Sequence, residues 1–350
     1  MKPMLIANKL IGRDQPCFII AEAGVNHNGD INLAKQLINA AVEAGADAVK
    51  FQTFHADNVV TRDAEKAEYQ KSTTSSDESQ YDMIKKLELP DDAFRELSDY
   101  ANDKGIIFLS TPFDEESVDL LDDIGVPAFK IPSGEITNFP LLKKIAEKHR
   151  PIILSTGMAT LGEVEEAFLY LKEMGSKDVI LLHCTTSYPA PFDSVNLRAM
   201  DTLQCAFKVP VGYSDHTEGL TIPIAAVAMG ARVIEKHFTI DRTLQGPDHQ
   251  ASIEPHELMA MVKGIRDVER ALGDGMKKPT PEEEVIKKIA RKSIVVKQPI
   301  QSGKILTYND ITLKRSRTGL QPKYLEQIIG MKINKNMQID QPVNWEDLEK

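Results

Sequence analysis

Positive charge is in deficit: 42 Lys+Arg stand against 52 Asp+Glu, a formal charge of −10 over 350 residues. A chain of that sign repels polyphosphate backbones, and no Lys/Arg-rich block offsets it, which argues against nucleic acid as a partner. Cysteine is scarce too. Cys17, Cys184 and Cys205 are odd in number and far apart, so they form neither a disulfide framework nor a CxxC metal pair. Each is expected to be a small buried hydrophobe. No apolar run approaches membrane-spanning length, and Asn8, Lys9, Arg13 and Asp14 interrupt the stretch where a signal peptide needs an apolar core. A chain with no membrane partner and a cytoplasmic location is the expectation. A Gly-rich dinucleotide fingerprint is also missing, which counts against an open doubly wound sheet.

What is present is a repeated strand type, a short apolar run ending in polar, chemically capable residues. Eight occur: FIIAEAG, DAVKFQT, IIFLST, AFKIPSGE, PIILSTG, VILLHCTT, VPVGYSDH and RVIEKHFT. Between most neighbours lie helical patterns with apolar residues three and four apart, such as NLAKQLINAAVEAG, frequently closed by glycine. Strand and helix alternating eight times predict a closed parallel (β/α)8 TIM barrel over residues 1–275. Between the second and third strands, residues 54–90 form a polar segment far longer than an ordinary βα loop. It leaves the catalytic face of such a barrel, so it reads as a substrate cover, with a disordered insertion as the alternative. Residues 276–290 read as a charged linker with a helical turn, and residues 291–350 as a small β-rich domain near the lower limit of independent stability.

In a barrel the last residues of each strand surround the upper mouth, so strand ends can be read as a site. His216 and His237 end the seventh and eighth strands and could share one divalent metal, the open nitrogen and oxygen ligand set favouring Mn²⁺ with Mg²⁺ or Co²⁺ as substitutes. Lys50 and Lys130, with Ser133, Ser155 and Ser214, form a plausible cage for a small anion carrying phosphate and carboxylate. A Schiff-base role for Lys50, Lys130 or Lys236 is the rival. Gln52 shares a strand face with Lys50. Glu22, at the end of the first strand, is a candidate to move a proton or to pair with a lysine. Glu135 and Asp248 suit sugar hydroxyls, which carboxylates hold by accepting hydrogen bonds.

The motifs AEAGVNHNG, VKFQTF, AEYQ, FLSTPFDEESVDLL, FKIPSGE, ILSTGMAT, LLHCTTSYPAPFDSVNL, GYSDHT, IEKHFT and GPDH together resemble the bacterial sialic acid synthase family, and ARKSIV with the later LKR resembles its antifreeze-like (SAF) domain. The resemblance implies condensation of phosphoenolpyruvate with an open-chain N-acetylated amino sugar to a nine-carbon 2-keto acid and phosphate. N-acetylmannosamine giving N-acetylneuraminate is the first expectation, and 2,4-diacetamido-2,4,6-trideoxymannose giving N,N'-diacetyllegionaminate the alternative. It implies phosphoenolpyruvate contacts at Lys50, Thr111, Lys130, Ser133, Ser155 and Ser214, and sugar contacts at Gln52, Glu135, Tyr188 and Asp248. It implies catalytic roles for Glu22, His216 and His237, with the metal on the two histidines. A domain-swapped homodimer is also implied, in which Arg315, or Arg317 as the alternative, reaches the other copy's sugar. Here LKRSRTGL departs from the family's KRPGxG, placing Ser316 and Arg317 where proline and glycine are expected. Lys50, Lys130, a metal and a second copy's Arg315 would make one positive pocket in an acidic surface.

Overall fold

The computed structural model describes residues 3–67, 70, 71, 74 and 78–349. Glu68 and Tyr69 of the AEYQ motif lie outside the described residues. The chain divides into two compact units, Met1–Gly273 and Asp274–Lys350.

The first unit opens with a hairpin, β1 (Met4–Ile6) against β2 (Lys9–Ile11). Then come the strands of the barrel: β3 (Phe18–Gly24), β4 (Ala48–Thr53), β5 (Ile107–Pro112), β6 (Phe129–Ile131), β7 (Ile152–Ser155), β8 (Val179–Cys184), β9 (Val211–Asp215) and β10 (Val233–His237). All are parallel, in the hydrogen-bonded order β5-β4-β3-β10-β9-β8-β7-β6, and β5 and β6 lie side by side to complete the nearly closed ring. Every residue of β3 is buried, as expected of a strand covered on both faces. The eight apolar runs of the sequence are these eight strands.

The helices form where the sequence supplies both ends. Helix α1 (Ile31–Ala44) starts at Asp30, whose side chain accepts from the Asn32 N–H, and stops at Gly45 with φ 78°, a conformation glycine adopts without penalty. Its buried Ala34, Leu37, Ile38, Ala41 and Ala44 trace one face, which packs on the barrel. The long segment after β4 contains α2 (Ala56–Val59) and α3 (Gln80–Leu87), the latter opened by a capping box between Ser79 and Asp82. Cys17 and Cys184 are buried, but Cys205 is exposed, correcting the expectation for all three. Its helix, Ala199–Phe207, buries Met200 and Leu203 and leaves position 205 on the other face.

In the second unit, β11 (Lys292–Val296) pairs antiparallel with β12 (Ile311–Arg315) over a small core that includes Ile294, Val296, Leu306, Ile328 and Met337. Asp310 is buried and ties this fold together. Its carboxylate accepts from the Thr307 N–H at 3.0 Å, the Thr307 hydroxyl at 2.7 Å and Gln298 at 3.1 Å, and pairs with Lys304. Where a linker is expected there is a ten-residue helix, Pro281–Ala290, capped by Thr280 and carrying Val285, Ile286 and Ile289 exposed. Among the described residues, no helix is long and apolar enough to cross a membrane.

Candidate active site

Strand register assembles the mouth. Glu22 on β3 is the register partner of Lys50 on β4 and of His237 on β10, and Glu235 on β10 stands opposite Ser214 on β9. Three strands thus bring together two carboxylates, a lysine and an imidazole that are distant in the chain. Residues two apart on a strand share a face, so Glu235 and His237 turn to the same side and Lys236 to the other.

The result is an open inner cavity of about 760 Å³, solvent at its mouth included, lined by Lys50, Thr111, Lys130, Ser133, Ser155 and Ser214 together with Glu22, Gln52, Tyr188, His216, Glu235 and His237. Every residue expected to hold the anionic substrate lines it. Lys50 pairs with Glu22 at 2.6 Å and donates to the Thr111 hydroxyl at 2.7 Å. Glu235 lies between the two lysines, 3.6 Å from Lys50 and 3.5 Å from Lys130, and accepts from the Ser214 hydroxyl at 2.8 Å. Ser133 Oγ accepts the Gly157 N–H at 2.9 Å. A Cβ at Gly157 would stand 2.2 Å from Thr186 Oγ1 and 2.8 Å from Ser133 Oγ, so only glycine permits this approach. Ser155 Oγ is buried without a hydrogen-bond partner, an open group facing the cage.

This geometry revises the electrostatics expected from the sequence. Two lysines are matched by two carboxylates, so the chain's own residues do not make a positive pocket. Burial pushes the Glu22 carboxyl up to about 7 against the pull of Lys50. Burial acts the same way on Glu235, but Lys130, Lys50 and the Ser214 hydroxyl overcome it and hold Glu235 at about 2. Burial lowers the Lys130 pKa, whereas on Lys50 the Glu22 and Glu235 carboxylates outweigh burial and raise it. Glu235, the acidic residue of the RVIEKHFT run, lines the cavity beside both lysines and was given no role by the sequence reading. Its signal was the shared face with His237.

His216 and His237 lie with ring centroids 5.6 Å apart, and Tyr188 stacks on His216 at 4.1 Å and meets His237 edge-on at 5.8 Å. His216 Nδ1 faces the Thr185 carbonyl at 2.8 Å, the arrangement that orients an imidazole and leaves Nε2 for a metal. His237 Nδ1 is buried with no hydrogen-bond partner. The two rings therefore fit a shared divalent ion, with positions left over for oxygen ligands. A second possible metal cluster, not anticipated from the sequence, is His55, Asp114 and Glu116, whose ligand atoms lie within 4.8 Å of one another. Both Asp114 oxygens are already engaged there, one by the Ser117 N–H and the other by the His55 N–H and the Ser117 hydroxyl.

Gln52, Tyr188 and His237 also line an outer cavity of about 720 Å³, which adds Asp248 and apolar residues from the long insertion, among them Phe54, Met83 and Leu87. Described residues of the insertion thus line the outer part of the mouth. Burial pushes the Asp248 carboxyl up to about 6. Glu135 departs from the expectation: its carboxylate is taken by Asn138 at 2.6 Å, and it lines neither cavity. The short turn Ser133–Glu135 carries Ser133 inward and Glu135 aside. Lys236 is also removed from the site. It is buried on the opposite strand face, 2.6 Å from Asp215. Arg315 lies in the second unit, exposed at the end of β12.

Residues 37–277 match the family model described as the NeuB family, and residues 291–349 match the SAF domain. An N,N'-diacetyllegionaminic acid synthase of Campylobacter jejuni is 54% identical over 92% of this chain and 97% of that protein. One of Legionella pneumophila is 49% identical over 97% and 96%, and a human N-acetylneuraminate-9-phosphate synthase 39% identical over 94% and 92%. The crystal structure of an N-acetylneuraminic acid synthetase from Leptospira borgpetersenii superposes with a TM-score of 0.71 at 38% identity, covering 83% of this chain and 97% of that one. Sequence and architecture agree: this chain, a TIM barrel followed by a SAF domain, belongs to the NeuB family of nonulosonic acid synthases.

Proposed function

We propose that this enzyme joins phosphoenolpyruvate to open-chain 2,4-diacetamido-2,4,6-trideoxymannose, giving N,N'-diacetyllegionaminic acid and phosphate. The observation that carries the reaction is the meeting of two cavities at Gln52, Phe113, Tyr188 and His237, one built from lysines and hydroxyls and the other largely apolar. The motif-based expectation of N-acetylmannosamine uses the same chemistry with a different sugar. Relatives named for legionaminic acid at 54% and 49% identity, against 39% for the human enzyme, turn the preference to the diacetamido sugar.

In this reading Lys50, Lys130, Thr111, Ser133, Ser155 and Ser214 hold the phosphate and carboxylate of phosphoenolpyruvate, while Gln52, Tyr188 and Asp248 hold the sugar. A divalent cation, Mn²⁺ in the first instance, held by His216 and His237 would supply Lewis-acid polarisation of the aldehyde. The C2–C3 π pair of phosphoenolpyruvate forms a bond from C3 to the aldehyde carbon, whose oxygen takes a proton from solvent water. Positive charge develops at C2, where Glu235, held ionised between the lysines, stabilises it. Water adds at C2, and Glu22 takes its proton. The C2 hydroxyl then gives its proton to the phosphate as the bond between C2 and the bridging oxygen breaks, releasing phosphate and leaving the 2-keto acid.

The test is phosphate release and product mass with both sugars side by side. Greater kcat/KM with the diacetamido sugar is expected; faster turnover of N-acetylmannosamine, or no phosphate from either, overturns the reading. The reading extends to a dimer in which Arg315 of one copy contacts the other's sugar, supported by its exposed place on a domain with a small core. Losing a charged hydrogen bond of about 1.5–3 kcal/mol, Arg315→Ala should raise the sugar KM roughly 10-fold or more with little change for phosphoenolpyruvate. A fully active monomer in sedimentation experiments would sink this part.

A further inference from the structure

We propose that the outer cavity selects the sugar by its distal end, accepting methyl-bearing groups at C4 and C6 and excluding a charged substituent there. The inference rests on the reaction proposed above and concerns what that site recognises. A sugar with its aldehyde at His237 must extend past Gln52 and Tyr188, because those residues are common to both cavities. Its tail then meets a wall from the insertion between β4 and β5, where Phe54 and Leu87 cluster with Val25, and Ile84 and Phe113 pack against them. Met83 and Val59 extend this surface. Among the described residues lining the outer cavity there is no lysine or arginine, whereas the inner cavity has two lysines. Besides Tyr188 and His237, which the outer cavity shares with the inner one, the ionisable side chain on this wall is Asp248, a carboxyl, which repels a phosphate rather than binding it.

The chemistry follows from that lining. A methyl group buried against aliphatic and aromatic carbon gains binding, and a methylene in such a pocket discriminates about 10–200-fold. A hydroxyl at C6 is rejected weakly, since an apolar pocket tolerates an added hydroxyl with about 100-fold discrimination. A phosphate dianion at the distal end would be desolvated against apolar carbon and the Asp248 carboxyl, with no lysine or arginine of the same chain among the described lining residues, which is far more costly. Reaction and selection are therefore separated in the chain. Strand ends carry the chemistry, and the insertion decides which sugar reaches them.

Two substitutions test this, Ile84→Asn and Val59→Asn. Val59 is 36% exposed, so its variant should fold even where the other does not. The assay compares kcat/KM for 2,4-diacetamido-2,4,6-trideoxymannose, N-acetylmannosamine and N-acetylmannosamine 6-phosphate. Wild type should favour the diacetamido sugar over N-acetylmannosamine by about 10–200-fold and leave the phosphorylated sugar unused. Each variant should lower that preference about 10-fold while the KM for phosphoenolpyruvate stays within about 2-fold, which also shows that the site is formed. If wild type prefers the diacetamido sugar and both variants keep the full ratio, the cavity does not select and only this inference falls. If wild type prefers N-acetylmannosamine, the functional reading falls and this inference with it.

Discussion

His237→Ala should be folded and inactive. The imidazole is buried, its Nδ1 has no hydrogen-bond partner, and its removal therefore leaves no neighbour with an unmet bond. The unfolding midpoint should move by only a few degrees, about 1 kcal/mol for a barrel of this size. Turnover should fall by at least about 10³, since removing a group that stabilises developing charge costs on the order of 10²–10³ and a metal ligand's loss adds the loss of the ion. Excess EDTA should reproduce the defect in wild type, and added Mn²⁺ should reverse it in wild type but not in the variant. Full activity in EDTA would remove the metal from the mechanism. Full activity of His237→Ala would remove the residue.

The largest expected loss of stability comes from Lys236→Met. Lys236 is 1% exposed, its ammonium lies 2.6 Å from Asp215 Oδ2 and also donates to the Thr217 carbonyl. Asp215 accepts further bonds from the Thr217 N–H at 2.9 Å and hydroxyl at 3.2 Å, which orient the carboxylate but do not neutralise it. Deleting the lysine strands a buried charge between β9 and β10, at a cost of about 3–5 kcal/mol. That is a large part of the roughly 5–15 kcal/mol by which a domain is stable. Differential scanning calorimetry should show the barrel transition lowered, and Asp215→Leu combined with Lys236→Met should recover part of the loss. Below that transition kcat/KM should stay within about threefold of wild type. A variant that melts normally but has lost turnover by 10² or more would return Lys236 to the reaction and revive a Schiff-base role.

The contrast between these two neighbours shows what was readable in the chain. RVIEKHFT announces a strand by its apolar start and a site by its polar end, and alternation puts Glu235 and His237 on one face and Lys236 on the other. Which face looks inward is the part that alternation leaves open. The two histidines mark the inward face, which puts Glu235 with them and Lys236 away, a signal that the reading of Lys236 as a Schiff-base candidate did not use. The position of Glu135 was not legible for a local reason: the turn after β6 brings it to Asn138, and turn geometry over three residues leaves little periodic trace. The outer cavity was legible only as a long polar insertion. Met83 and Leu87 are four apart and share a helix face, but what that face covers depends on the barrel mouth beneath it.

Pairing within the inner cavity was legible only in part. A lysine pair was one of the two readings of Glu22, and the structure places Glu22 2.6 Å from Lys50; it adds Glu235, 3.5 Å from Lys130, a pairing the sequence reading did not contain. By itself the sequence determined the eight strands, their helices, the small second domain and the residue types at the mouth, because apolar periodicity and capping residues are local properties. Only the tertiary structure decided which of those groups neutralise one another and which remain open. Strand stagger and burial set the distances between groups far apart in the chain, and Coulomb interactions in a buried site depend steeply on those distances and on the exclusion of water.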